Sequence, residues 1–475
     1  MKLGLDFGTT NSSLSLLADG KVTLLPIDNF AKNPEVIRSA LYFYPRKLVL
    51  SESVTQAQIQ TQTFNISQIH YEGKVKTSIG NEAVETYLKD NKNRRPGVHR
   101  IIYTGRTIRV ITWVNPYSGR VYTEDIPEAL EEIDYRTGHL FHALKTALKS
   151  PYYKGSAVFG DFFSLEKLIS IYLTEVKKRA EDILGVKFDE VTIGRPVYFS
   201  NDKEKDKIAQ NRLEEAVKMA EFKKIDFMFE PIGAAKYYLY KKPEIRGKIL
   251  VFDFGGGTLD TTIVEKNGDK FEILTTDGVY IGGDLLNSDI FFEKLGNYFG
   301  LDLTWGDHQT NLPYNIRESL TSWFGIINLN SPDSMQTLEK AKYKCSDLPA
   351  LERLIYLIKT NLGFEIYNAI EKAKEEISSK TGSDIEFSDG PINIIKNITR
   401  VEFERLIKPR IEEAKKVCLR TLKNAKTDPD EIKLIIATGG SSLIPLVKNM
   451  LEGVFGKDKI EFFETFTSVA AGLVL

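Results

Sequence analysis

Two short stretches of this chain place the same residue types in the same order. "LGLDFGTTNSS" begins at Leu3, and "ILVFDFGGGTLDTTIV" begins at Ile249. Each runs from an apolar strand to an aspartate, Asp6 or Asp253, and then into a turn rich in glycine and threonine. Glycine admits positive φ and lets the main chain come close to a phosphate, so such a turn offers a row of backbone N–H groups to an anion. An aspartate at the strand end suits a hydrated Mg2+, which prefers carboxylate plus waters. The first turn holds Gly8, Thr9, Thr10 and Asn11, and the second holds Gly255, Gly256, Gly257 and Thr258; the threonines add hydroxyl donors. Two such turns, one from each of two lobes, would clamp a polyphosphate from both sides. "TGGSS", with Gly439, Gly440 and Ser441, is a third tight glycine turn, set between a strand and a helix.

The elements that must carry these turns repeat as well. Behind each turn comes a second strand ("SLSLL", "DTTIV"), a hairpin signal ("ADGK", "KNGD") and a third strand ("VTLLPI", "FEILTT"). Units this far apart mark the duplication of a whole lobe rather than a short solenoid period. Apolar periodicity predicts amphipathic helices at "LEKLISIYLTEVKKRAEDIL" and "KEKDKIAQNRLEEAVKMAEF", with the strand "DEVTIGRPVYF" between them. "GFEIYNAIEKAKEEISSK" and "VEFERLIKPRIEEAKKVCLRTLKNA" read as helices, "EIKLIIATGG" as a strand and "SSLIPLVKNMLEGVF" as the next helix. The expected fold class is α/β, with two similar lobes facing one another. Lobe I is expected over residues 1–245, completed by 460–475, and lobe II over 246–459. Residues from about 30 to 155 and from about 285 to 390 do not repeat and read as lobe-specific insertions.

The first insertion holds the basic run "KDNKNRRPGVHRIIYTGRTIR", which lacks an aromatic stacking motif and reads as a solvated loop or lobe edge. His139 and His142, in "GHLFHAL", could share a helix face, but no cysteine or carboxylate joins them at a metal-ligand spacing. The 475 residues, 42% of them apolar and 27% charged, can bury a sizeable core without disulfides or a structural metal. A formal charge of −1 gives no global pull toward nucleic acid or an anionic membrane. The two cysteines, Cys345 and Cys418, form no CxxC. No run reaches transmembrane length, and no cleavage signal precedes the first strand. These features lead to the expectation of a soluble, cytoplasmic monomer that binds neither nucleic acid nor membrane. No GxxxxGK[ST] appears, so the phosphate chemistry is not that of a P-loop. No GxSxG nucleophile elbow appears either.

Taken in order, these motifs resemble the sugar kinase/DnaK-type heat-shock/actin superfamily. Within it they are similar to the nucleotide-binding domain of the heat shock protein 70 family, the DnaK-type chaperones. "LGLDFGTTNSS" and "VFDFGGGTLD" resemble the two phosphate loops, and "IGRPVYFSND" the connecting strand whose proline relays nucleotide state. "FEPIGAAKYYLY" resembles the crossing helix, and "IGGDLLN" and "IEKAKEEISS" the parts that hold ribose and adenine. "IIATGGSSLIPLVKNML" resembles the adenosine motif, and "SVAAGLVL" the final helix. "IGRP" and the enlarged insertions look most like the YegD-type branch of chaperone-like proteins. The resemblance implies an actin-like ATPase fold of two ribonuclease-H-like lobes, with ATP or ADP and Mg2+ in the cleft. It implies that Asp6 and Asp253 face Mg2+ through waters, and that Gly8, Thr9, Thr10, Asn11 and Gly255–Thr258 cradle phosphates. Glu230 and Asp260 are implied to position the metal shell and the attacking water, with Thr258 beside them. Gly283, Glu371, Lys374, Ser378, Gly439, Gly440 and Ser441 are implied to hold the nucleoside. The family also places a lysine near the γ-phosphate; Lys145 in "LFHALKTAL" is the first candidate and Lys149 the second.

Three positions depart from the family pattern. Glu375 and Leu443 stand where the family has the two arginines that flank adenine, which bears on adenine affinity and base specificity. After Pro196 the nearby basic residues are Lys203 and Lys205, in place of the usual arginine, which bears on the coupling switch. After the last motif the chain stops at Leu475 with no interdomain linker and no β-rich substrate domain, so the isolated chain is expected not to bind extended client peptides. The expected function is slow ATP hydrolysis used as a conformational switch for an unidentified protein partner or client. The rival readings are an actin-like filament protein, a small-metabolite kinase of the same superfamily, and a nucleotide-binding scaffold that never hydrolyses.

Overall fold

The computed structural model describes residues 2–91, 98–114, 116, 118–134, 138–200, 202–268, 270–463 and 467–475. Its two strand–turn–strand units open two sheets of like order. The first sheet holds β1 (Lys2–Phe7), β2 (Asn11–Ala18), β3 (Lys21–Leu24), β4 (Val36–Arg38), β5 (Glu190–Arg195) and β6 (Lys224–Phe229). Its order is β6-β5-β1-β2-β3, with β4 also paired to β2. The second holds β7 (Gly247–Phe254), β8 (Leu259–Asn267), β9 (Lys270–Val279), β10 (Ile432–Thr438) and β11 (Ile460–Phe462), in the order β9-β8-β7-β10-β11. In each sheet three strands form an antiparallel meander and two more run parallel to its first strand or to each other. Asp6 and Asp253 therefore hold equivalent places near the end of the central strand. Those strands read as nearly unbroken apolar runs because both faces are covered: Leu3, Leu5 and Phe7 are buried, as are Ile249 to Phe252 and Phe254.

Eight helices matter for the site: α1 (Leu165–Leu184), α2 (Lys203–Met219), α3 (Glu230–Lys241), α4 (Gly283–Leu295), α5 (Trp323–Asn328), α6 (Gly363–Ile377), α7 (Arg400–Asn424) and α8 (Ser468–Leu473). α1 shows why these segments start and stop where they do. The Ser164 side chain accepts from Lys167 N at its start, and Gly185 takes a left-handed conformation just past its end. Its apolar stripe, with that of α2, packs against β1 and β5 in the core of the first lobe. A second, larger core lies under the second sheet and gathers α4, α6 and α7.

α3 and α8 lie at the junction of the sheets. Ala234, Ala235 and Leu239 of α3 pack with Val469 and Leu473 of α8, with Ile249 and Val251 of β7, and with Leu434 and Ile436 of β10. The two helices cross so closely that a Cβ on Gly472 would stand 1.7 Å from the Gly233 carbonyl oxygen. α8 also reaches the first sheet, where Ser15 Oγ donates to the Ala470 carbonyl at 2.6 Å.

The first insertion is more ordered than its sequence suggests. Ala40–Phe43 pairs with Thr77–Ile79 on one side and His139–His142 on the other. Residues Val98–Val114 and Val121–Asp134 form a long antiparallel hairpin. The basic run read as a loop or lobe edge supplies one strand of that hairpin, and its residues 92–97 lie outside the described residues. Arg109 makes a two-pronged pair with Asp125 on the opposite strand, at 2.8 and 2.9 Å. The insertions of the two lobes meet: Ile327 of α5 packs with Ala40, Tyr42 and Leu140. There the His142 ring lies 3.9 Å from that of Phe324 and 5.6 Å from that of Trp323. Among the described residues no helix is long and apolar enough to cross a membrane.

Candidate functional site

The glycine turns are held rigid by their neighbours. A Cβ on Gly8 would stand 2.0 Å from the Asn11 carbonyl oxygen, so no other residue fits this backbone. Ser39, just after β4, ties the turn down: its N–H donates to Thr10 O at 2.8 Å and its hydroxyl to Gly8 O at 2.7 Å. In the second turn Gly255 N donates to Thr258 O at 3.0 Å. The start of α4 is bound to the same turn, with Gly283 N on Gly255 O at 3.0 Å and Asp284 N on Gly256 O at 2.8 Å. The third turn rests on the second. Gly439 has φ +79°, a Cβ there would reach Phe254 O at 2.3 Å, and Ser441 Oγ donates to Gly255 O at 3.0 Å. A Cβ on Gly256 would be 3.2 Å from Thr10 Oγ1, so the two Gly/Thr turns face each other at close range across the cleft.

Four acids and one lysine converge below the turns. Lys145 Nζ donates to Glu230 Oε1 at 2.6 Å, and the side chains are only 10% and 19% exposed. Burial drives the Asp253 carboxyl up to about 8, and Asp260, Glu230 and Asp6 add to the rise. Burial and then Glu230 bring Asp6 to about 7, against the pull of Lys145. Asp260 rises to about 6 by burial, restrained by the Thr258 hydroxyl, which donates to it at 2.8 Å. Asp260 is surrounded by protein yet retains an exposed surface, where water relaxes its shift. Burial works against the Lys145 ammonium, but Glu230 and Asp6 outweigh it and hold the lysine charged. Lys149 acts on Asp260 only at a distance: its ammonium lies over Tyr280, 4.3 Å from the ring centroid, and among the described residues it pairs with no acid. Of the two lysines named from the sequence, Lys145 is the one set among the acids.

This cluster has more carboxylates than its buried lysine can neutralise, which is the chemistry of a site that takes a cation. Gly194 keeps room there: a Cβ on it would stand 3.2 Å from Glu230 Cγ and 3.7 Å from Asp6 Oδ1. Among the described residues no group of three or more His, Cys, Asp or Glu is set to ligate a metal directly. The arrangement fits Mg2+ that keeps its waters and touches carboxylates through them.

A second group of residues lies on α4 and α6. Lys374 Nζ donates to Glu371 Oε2 at 2.8 Å and to Gly283 O at 3.3 Å, and Asn287 Nδ2 donates to Glu371 Oε2 at 2.5 Å. A Cβ on Gly283 would be 3.1 Å from both Lys374 Nζ and Ser441 Oγ. Gly283, Glu371, Lys374 and Ser441, with Gly440 beside it, thus line one patch. Ser378 turns its hydroxyl to Lys374 O at 3.1 Å, within its own helix. Glu375 is exposed, as is Leu443. Sequence reasoning missed Arg38 and Ser39, and it left Asn287 unnamed at the end of "IGGDLLN". The signal for the first two was a lone basic residue inside the apolar run "VIRSALYF".

The family model described as "Hsp70 protein" matches residues 130–304 and 359–475, more than half of the chain. The chain belongs to the Hsp70 family. Hsp70 proteins are ATPases that bind ATP or ADP with Mg2+ on an actin-like fold, and the doubled sheet described above is that fold. The match leaves out residues 1–129 and 305–358, so the first Gly/Thr turn and most of the first insertion fall outside it, as does α5. Among curated relatives, the chaperone protein DnaK of Thermosipho melanesiensis is 27% identical over 323 residues, 66% of this chain and 44% of that protein. The chain spans less than half the length of that Hsp70 relative.

Proposed function

We propose that this chain binds Mg-ATP between its two sheets, hydrolyses it slowly, and passes the state of the nucleotide to a protein partner. The observation that carries the reading is the pairing of Asp6 and Asp253 at equivalent strand ends, beside Lys145 and Glu230. In this reading the backbone N–H groups of residues 8–11 and 255–258 receive the phosphates. Asp6 and Asp253 hold Mg2+ through its waters, and the ion neutralises phosphate charge when bound. Lys145 keeps its proton, because Glu230 and Asp6 hold it, and so presents fixed positive charge to the transferred group. Glu230, Asp260 and Thr258 orient the attacking water. Hydrolysis then proceeds by positioning and electrostatics, without a covalent intermediate. Gly283, Glu371, Lys374, Ser378, Gly439, Gly440 and Ser441 form the nucleoside subsite, with Glu375 and Leu443 leaving the base without flanking cations.

The same reading takes residues 1–245 as one lobe and 246–459 as the other, with the chain returning to the first at its end. The two sheets and the bond from Ser15 of β2 to α8 support it; the return comes only after Phe462, because β11 runs beside β10 in the second sheet. The name of the DnaK relative extends the proposal to a chaperone role toward a client or partner protein. The test is Asp253→Ala. The variant should fold, by circular dichroism, and lose most Mg2+-dependent ATPase activity. A folded variant that hydrolyses ATP at the wild-type rate would remove the basis for the cleft assignment.

A further inference from the structure

We propose that Arg38 is a nucleotide-binding residue, whose guanidinium grips the polyphosphate from the side of the first turn. The inference rests on the nucleotide reading above and adds a residue that the motifs do not contain.

Position comes first. β4 pairs with β2 so that Arg38 stands directly opposite Asn11, the last residue of the first turn. Its neighbours Ile37 and Ser39 are buried, and Ser39 is bonded to the turn itself. Side chains alternate along a strand, so Arg38 leaves on the opposite side from both. There it meets the second lobe: its guanidinium carbon lies 5.5 Å from the centroid of the Phe364 ring, near the start of α6.

Apart from the Phe364 ring, the charge has no partner there. Among the described residues Arg38 makes no ion pair, and its Nε is buried without a hydrogen-bond partner. Asp284 and Glu371 of the second lobe, and Asp28 of the first, act on it electrostatically, yet none closes into a salt bridge with it. Burial disfavours the guanidinium first of all, and these acids only partly offset that. Arginine does not escape such a cost by losing its proton, so the fold holds an under-compensated cation beside a turn built for anions. A guanidinium left open presents its fork of donors to a group with several oxygens, which is the geometry that phosphate offers. Asp284 is itself bonded through its N–H to the second turn, so a phosphate there lies within the reach of both lobes.

The experiment is a calorimetric titration of wild type, Arg38→Gln and Arg38→Lys with Mg-ATP and Mg-ADP, alongside thermal melts without nucleotide. Arg38→Gln should weaken nucleotide binding about 10- to 100-fold, the range for a lost charge-assisted hydrogen bond. Arg38→Lys should recover part of that loss. Without nucleotide, Arg38→Gln should melt no lower than wild type, since it relieves a buried charge. Wild-type affinity in Arg38→Gln overturns the inference and leaves the nucleotide reading standing. A lower melting temperature without nucleotide, with binding reduced only in proportion, assigns Arg38 a structural role and also overturns it. Failure of the wild type to bind either nucleotide overturns both.

Discussion

His142→Phe should remove a specific part of the protein's sensitivity to acid. The imidazole sits where the two insertions meet, against Phe324 and Trp323. Burial, and then the charge of Arg38, lower its pKa from the ordinary 6.5 to about 4. Above pH 6.5 the ring is neutral in both folded and unfolded chains, and its contribution to stability is fully present. Between 6.5 and about 4 the unfolded chain takes up a proton that the folded chain refuses, so stability is lost as pH falls. At pH 5 the linkage relation gives about 2 kcal/mol, and the ring's remaining solvent contact reduces this to about 1–2 kcal/mol. Asp6 and Asp253 act in the opposite sense. Their raised values place full stability below about 3.8 and its loss as pH climbs through about 7 and 8. Those acids are common to both proteins and cancel in the difference. The assay is urea unfolding of wild type and His142→Phe at pH 7.5 and 5.0, read by circular dichroism and by tryptophan fluorescence. Wild type should lose about 1–2 kcal/mol more than the variant on going to pH 5.0. Equal losses in the two proteins would refute the account of a neutral imidazole holding the insertions together.

Other expected outcomes follow from the same fold. Lys145→Met takes the buried cation from among four acids and should cost about 3 kcal/mol at pH 8, with the loss shrinking at pH 6 as protons replace the ammonium. A pH-independent loss in urea titrations would count against that mechanism. Gly472→Ala forces a methyl onto the Gly233 carbonyl and should cost about 3 kcal/mol, read by the same titrations. An unchanged midpoint would show that the crossing of α3 and α8 is looser than described. Mg-ATP should slow proteolysis of the connector "KKPEIRGK" between α3 and β7, because a nucleotide adds contacts between lobes that otherwise share few at the turns. Equal cutting with and without saturating nucleotide would favour a static scaffold.

The doubled sheet was legible because its signals are local. An apolar strand, an aspartate and a glycine turn lie within a dozen residues, and they recur. α1 could be read to its ends because Ser164 and Gly185 mark them in the sequence. The hairpin over Val98–Asp134 was not legible, since the acid that pairs with Arg109 lies on the return strand. Periodicity sees one strand at a time. That Lys145, and not Lys149, pairs with Glu230 was also hidden in the sequence, because only the fold brings those residues together. Arg38 stayed invisible for a related reason. Its meaning comes from pairing with Asn11 and from facing a helix that begins more than three hundred residues later.

The contact between α8 and the first sheet has a bearing on how the protein is made. Ser15 and Ala470 are among the first and last residues described, yet they are bonded to each other. As the chain leaves the ribosome, β1, β5 and β6 emerge well before the helix that covers them. At about 5–20 residues per second, tens of seconds separate the end of β6 from the arrival of α8. Throughout that interval the small apolar faces of α3 and β1 lie open beside an unpaired second lobe. Contacts of this sequence separation also make folding slow once the chain is free. A member of a chaperone family built on this plan is, at birth, a demanding client for whatever protects nascent chains.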